Sequence, residues 1–227
     1  MDDLQFRVEP ATGFPMIRVD AIDAYIHWIP VTKIQFERFM CAEPSSDFDE
    51  AWYDTIRALN PRVSPQDIRP TNYWNAFLTG LTPLEAERFA QWCGEGYAVP
   101  TRDEWYTAYR ALRQMPPHMD ISAALAGMAG PTERARLLIE RLDASGRAAS
   151  SEIGYDRMRA DQMLMRLGVM EWVECPDERT GWGGLGETPV RFHGSLDTPE
   201  YGQPSLPTNP TMQRLAHFGF RLVWRGA

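Results

Sequence analysis

The sequence predicts an irregular α+β domain built from a few helices and small antiparallel sheets. Three stretches read as capped helix starts, each with Thr three residues ahead of Gln or Glu: Thr32 and Gln35, Thr82 and Glu85, Thr101 and Glu104. Short runs near the N-terminus alternate apolar with polar residues, the period of a half-buried strand. The last block of the chain is long, turn-rich and poor in regular period. At 227 residues the chain has the length of one domain with a real core. We read 1–227 as a single domain with a helical insertion at about 114–161.

Residues 1–20 show no helical period. Phe14, Met16, Ile17 and Val19 predict a short strand after a turn at Gly13. A second strand is expected from Ala21 to Ile29, where Ile22, Ala24, Ile26 and Trp28 alternate with Asp23, Tyr25 and His27. That alternation puts His27 on the more polar face as an ordinary strand residue. The first helix follows from Pro30 to Phe39, capped by Thr32 and Gln35 and stapled by Val31 and Phe36. Phe36, Phe39 and Met40 share its apolar face.

Residues 42–72 are rich in Pro, Ser, Asp and Asn and predict a surface connection with one helical turn at Glu50-Ala51-Trp52-Tyr53. Asp47, Asp49, Glu50 and Asp54 lack the spacing of a calcium loop and read as a solvated acidic surface. The next helix opens at Thr82 with Pro83 at its first position. Ala86, Phe89, Ala90 and Cys93 form its buried face, and Gly94 and Gly96 stop it. From Val99 the run Pro100-Thr101-Arg102-Asp103-Glu104-Trp105 launches another helix. Its inward face is Trp105, Ala108, Tyr109 and Leu112. Within 114–161, Ala135, Leu138, Ile139 and Leu142 share a helical face, and an earlier short helix spans Asp120 to Met128. This insertion either packs on the domain or meets a partner.

Four segments are more specific than the helices and strands they encode. Val-Pro-Thr-Arg-Asp-Glu-Trp at 99–105 resembles the "R-L-P-T-E-A-E-W" signature of the formylglycine-generating enzyme/sulfatase-modifying-factor family. Pro30-Val31-Thr32-Lys33-Ile34-Gln35-Phe36 resembles its "P-V-T-N-x-Q-F", with Lys33 in place of Asn. Leu167-Gly168-Val169-Met170-Glu171-Trp172-Val173 resembles "M-G-N-V-W-E-W-V", and Phe218-Gly219-Phe220-Arg221-Leu222-Val223 resembles the terminal "I-G-F-R-L-V" strand. Glu85 to Cys93 also follows the family's Cys-bearing helix, and Val190 to Leu196 its "R-G-G-S-W" segment. The resemblance covers about 25–112 and 163–224. It implies that family's variant of the C-type lectin fold.

The resemblance does not extend to the family's chemistry. The family's enzymes hold copper through two late cysteines, and soft thiolates suit Cu(I). Here the three cysteines are Cys41, Cys93 and Cys175, none later. They are expected to be reduced thiols. Gly168 replaces an Asn that supplies a calcium ligand in the family and has no side-chain oxygen to offer. The four histidines, His27, His118, His193 and His217, form no metal-binding spacing. Nucleophile-elbow, P-loop and dinucleotide fingerprints are absent. The sequence therefore implies no cofactor, no metal and no catalytic residue.

Net charge of −8 argues against non-specific nucleic-acid binding, which needs a basic face. No run reaches bilayer length. The acidic start Met1-Asp2-Asp3-Leu4-Gln5 does not resemble a signal peptide, so a cytoplasmic or virion-associated protein is expected.

The function these features predict is recognition of a protein or carbohydrate ligand by a C-terminal loop surface. Phage receptor-binding tips and diversity-generated variable proteins use the fold in this way. Trp182, His193, Asp197, Tyr201, Asn209 and His217 are the candidate ligand-binding residues, combining aromatic with adaptable polar groups. A structural subunit of a virion or cytosolic assembly is the alternative, and an enzyme with an unrecognised site is a third. The sequence does not fix the oligomeric state.

Overall fold

In the computed structural model the residues described are 5–43, 47–60, 76–113, 137, 169–185, 213–216 and 218–226. They form a mixed α and β architecture with two sheets. Strands β1 (Phe6–Val8), β2 (Pro15–Val19) and β3 (Ala24–His27) make an antiparallel meander. Strand β4 (Tyr97–Ala98) and the terminal β8 (Val223–Trp224) complete a sheet of order β1-β2-β3-β8-β4. The second sheet has order β6-β5-β7, from β5 (Met170–Glu174), β6 (Trp182–Leu185) and β7 (Phe218–Gly219), with β7 parallel to β5.

Four helices among the described residues start where side chains satisfy their first N–H groups. In α1 (Lys33–Ala42) the Thr32 hydroxyl accepts from the Gln35 N–H, and the Gln35 side chain accepts from the Thr32 N–H at 2.9 Å. Thr82 and Glu85 do the same for α3 (Pro83–Cys93). Thr101 and Glu104 do so for α4 (Arg102–Arg113). Each reciprocal pair removes two orphan donors. Gly94, at φ 116°, ends α3 in a conformation that L side chains rarely adopt.

Four outcomes depart from the sequence reading. Strand β1 pairs Phe6 with Ile17 although its three residues carry no periodic signal. The expected start of the second strand is instead a one-turn 3-10 helix, Asp20–Ile22, closed by Asp23 at φ 50°. Helix α2 (Glu50–Leu59) runs ten residues rather than one turn. Its cap is Asp49, which accepts from the Trp52 N–H at 2.8 Å. The acidic group is therefore divided: Asp49 caps, Asp47 pairs with Arg88 at 2.9 Å, and Asp54 pairs with Arg57 at 3.2 Å. Finally, His27 is 1% exposed. Alternation marks a strand covered on one face, but at its C-terminal end β3 is covered on both: Ile26 and His27 are both buried, while Tyr25 is half-buried.

Two apolar clusters fill the space around these layers. One gathers Ile17, Ile26, Trp28, Phe77, Trp105, Ala108 and Val173 between α4 and the two sheets. The other gathers Phe36, Phe39, Phe89, Trp172, Phe218 and Phe220 beneath α1 and α3. Its rings meet in stacked and edge-on pairs, as in Phe36 with Phe89 at 5.6 Å and Phe89 with Phe220 at 5.5 Å, geometries that add about 0.5–1.5 kcal/mol per pair beyond burial.

Candidate functional site

The two sheets are joined where the chain leaves β7 and enters β8. Phe220, Arg221 and Leu222 are each 0% exposed. The backbone there is tied to the first sheet: the Val31 N–H donates to Phe220 O at 2.8 Å, and the His27 N–H to Leu222 O at 2.9 Å. Arg221 points the other way as well. Its Nε and Nη2 donate to the two oxygens of Glu171 on β5, both at 2.5 Å, while Nη1 donates to the His27 carbonyl at 3.1 Å and the Trp28 carbonyl at 3.4 Å. Trp105 on α4 donates its indole N–H to the same carboxylate at 3.1 Å. A fork-to-fork pair with its remaining bonds filled meets the condition under which burial of two charges is tolerated. Removing one partner would leave the other charge buried and cost about 3–5 kcal/mol.

The chain passes from β6 into 186–212, which lie outside the described residues, and returns to the described residues at Gln213. At departure, β6 pairs with β5 from Glu171↔Leu185 to Glu174↔Trp182. Gly183 is required by close approach. A Cβ there would lie 2.6 Å from Cys175 Sγ and 2.9 Å from Arg102 Nη2. At the return, Arg214 forks onto Glu85 at 2.6 and 2.5 Å and donates to Gly80 O at 3.1 Å. Glu85 is also the capping residue of α3 and accepts the Trp52 indole N–H. A third fork closes the chain end, Arg225 onto Glu104, both contacts at 2.7 Å. Burial alone would raise the carboxyls of Glu85 and Glu104. The arginine and backbone bonds outweigh it and hold both below the ordinary value.

Of the six candidate ligand-binding residues, only Trp182 is among the residues described, and it is not a loop anchor. It lies in β6 at 6% exposure, packed in the cluster with Phe89 and Trp172. Gly183 and Gly184 let this edge strand lie close against its neighbours. His193, Asp197, Tyr201, Asn209 and His217 lie outside the described residues, as does the insertion at 114–161 apart from Leu137. The sequence reading missed Arg214 and Arg225. Both are single arginines in irregular sequence, and nothing local announces the carboxylates they meet. It also missed the second role of Glu85 and Glu104.

Neither buried cysteine is an activated thiol. All three are free. Burial pushes the Cys93 thiol far above its ordinary value and raises Cys175 as well, the latter despite the guanidinium of Arg102. Among the described residues no group of three or more His, Cys, Asp and Glu side chains could hold a metal ion. Nor is any helix of the described residues long and apolar enough to cross a membrane.

No family model, curated protein or solved structure matches this chain.

Proposed function

We propose that this chain is a non-catalytic recognition module of the formylglycine-generating-enzyme-like variant of the C-type lectin fold, presenting the segment 186–212 to a protein or carbohydrate ligand in the cytoplasm or on a virion. The observation that carries the proposal is the set of three arginine forks. Arg214, Arg221 and Arg225 bind Glu85, Glu171 and Glu104. They fix the stretch immediately after 186–212 to two helix starts and a buried strand. A fixed scaffold on either side of a long segment whose sequence is turn-rich suits binding, because loops carry recognition when rigid elements position them. The absence of cysteine after Cys175 supports recognition over copper-thiolate oxidation. Within 186–212, Tyr201, His193, Asp197 and Asn209, with His217 following, supply the aromatic and adaptable polar groups that a paratope uses.

The test is replacement of 190–209 with a Gly-Ser linker of equal length, after pull-down from the native source has supplied a partner. Binding should be abolished while the melting temperature stays near that of the parent. Retained binding in the linker variant, with binding lost on deleting 114–161, would overturn the proposal in favour of an assembly subunit.

A further inference from the structure

A half-buried arginine on the first sheet has no counter-charge. Among the described residues Arg18, Arg88, Arg102, Arg214, Arg221 and Arg225 each meet a carboxylate. Arg7, equally half-buried in a chain of net charge −8, meets none of the described carboxylates. The carboxylate nearest to it in sequence, Glu9, is committed to the N–H groups of Ala11 and Thr12 and to the Thr12 hydroxyl.

The guanidinium of Arg7 lies on an aromatic surface instead. Strand register sets Arg7 opposite Met16, and it sets Arg18, Tyr25, Trp224 and Tyr97 in one row across β2, β3, β8 and β4. Met16 and Arg18 are two positions apart, so Arg7 and the whole row share one face of the sheet. Arg7 Cζ is 3.3 Å from the centroid of the Trp224 ring and 5.8 Å from that of Tyr97. Such contacts stabilise the charge but give its N–H groups no acceptor. Two buried donors are left over at this spot, Arg7 Nε and the hydroxyl of Tyr97, and neither has a hydrogen-bond partner among the described residues. Tyr97 is 9% exposed, and a buried hydroxyl without a partner is unfavourable. Arg7, Tyr25 and Trp224 are only half-buried, so the patch keeps an open side.

We propose that Arg7 and Tyr97 form a binding site for a carboxylate, taken by the guanidinium fork above Trp224 with the Tyr97 hydroxyl as a third donor. Charge and shape select this class of ligand. The other cation of the face, Arg18, lies over Tyr25 at 5.6 Å and is already held by Asp20 and Asp23. One uncompensated positive charge matches one carboxylate, and a planar fork matches its two oxygens. A phosphate dianion would bring a second negative charge with nothing to meet it. The carboxylate belongs either to a small organic acid or to an aspartate or glutamate side chain of a protein. The site is on the first sheet and does not depend on 186–212.

NMR titration of isotope-labelled protein tests the site. The Arg7 Nε–H resonance, assigned by its loss in Arg7→Lys, reports the fork, and the Trp224 indole N–H reports the ring beneath it. Benzoate is the small-acid probe, with benzamide as its uncharged counterpart. A blocked glutamyl tripeptide is the protein-side probe, with the glutaminyl tripeptide as its counterpart. A saturable shift of both resonances is expected with a carboxylate probe and none with its amide, and the tighter of the two carboxylates identifies the source. Tyr97→Phe removes one donor and should weaken binding about three- to tenfold. Arg7→Lys keeps the charge but loses the fork, and should weaken binding more than about tenfold, followed at the Trp224 indole. The absence of a saturable shift with either carboxylate, equal shifts with the amides, or tighter binding of inorganic phosphate would overturn the site. So would unchanged affinity in either variant. The titration of the parent protein decides the matter even if neither variant folds.

Discussion

At the scale of single residues, two glutamates each do two jobs. Glu104 accepts the Thr101 N–H at 2.7 Å, closing the capping box of α4, and accepts both arms of the Arg225 fork. The first role is legible in the sequence because the partners are three positions apart. The second is not, since Arg225 is 121 positions away and pairing at that distance leaves no local pattern. The two roles change the expected cost of Glu104→Ala. Loss of a cap costs about 0.5–2 kcal/mol, and a charge-assisted bond adds about 1.5–3 kcal/mol, discounted because Arg225 is 41% exposed. We expect about 1.5–3 kcal/mol by urea denaturation at pH 7, and an intermediate loss for Glu104→Gln, which keeps an oxygen for the cap. The pH dependence has a definite sign. The carboxyl is held below 4.5 in the fold, so its contribution is complete above that value and fades as pH falls through and below it. Glu104→Gln should flatten the stability profile in that acid range, and an unchanged profile would show that the Arg225 fork contributes nothing.

Elements were legible where a short-range rule fixes them and opaque where tertiary contact does. The starts of α1, α3 and α4 fall at the three Thr positions because capping is a three-residue event. The extent of α2 escaped because only Trp52 and Ile56 are buried, too few to draw a face, and its cap Asp49 was masked by neighbouring acids. Strand β6 escaped for another reason. Gly183 and Gly184 have no side chain to carry a period, yet they pair with Val173 and Trp172. That strand makes a sharp prediction. Gly183→Ala would place a methyl carbon 2.6 Å from Cys175 Sγ and should cost about 1–3 kcal/mol, as overpacking does. Cys175→Ala should recover much of it in the double variant, because contacting sites couple. Gly219→Ala would meet the Leu78 carbonyl oxygen at 2.7 Å, which is backbone and cannot be trimmed, so no single side-chain change should rescue it. Thermal melts of the four variants decide both points, and additivity of Gly183→Ala with Cys175→Ala would refute the contact.

For the whole molecule, the forks of Arg214, Arg221 and Arg225 place the last stretch of the chain across both sheets and two helix starts. Stability and recognition should therefore separate along the C-terminal block. Trp182 belongs to the stable side. Trp182 is 6% exposed within the aromatic cluster, so Trp182→Ala is a core truncation expected to cost about 3–5 kcal/mol. Any loss of binding it causes should follow its loss of fold. Tyr201 belongs to the recognition side of the proposal. Tyrosine at the centre of an interface is a frequent anchor, and Tyr201→Ala should cost about 1–3 kcal/mol of affinity with the melting temperature held. Both variants need both measurements, a melt and a titration against the captured partner. The predicted pattern is a large melting shift with Trp182→Ala and a large Kd shift with Tyr201→Ala alone. If Tyr201→Ala lowers the melting temperature and leaves Kd unchanged, Tyr201 is a packing residue. The recognition surface would then have to be sought outside 186–212, with the insertion at 114–161 the next segment to remove.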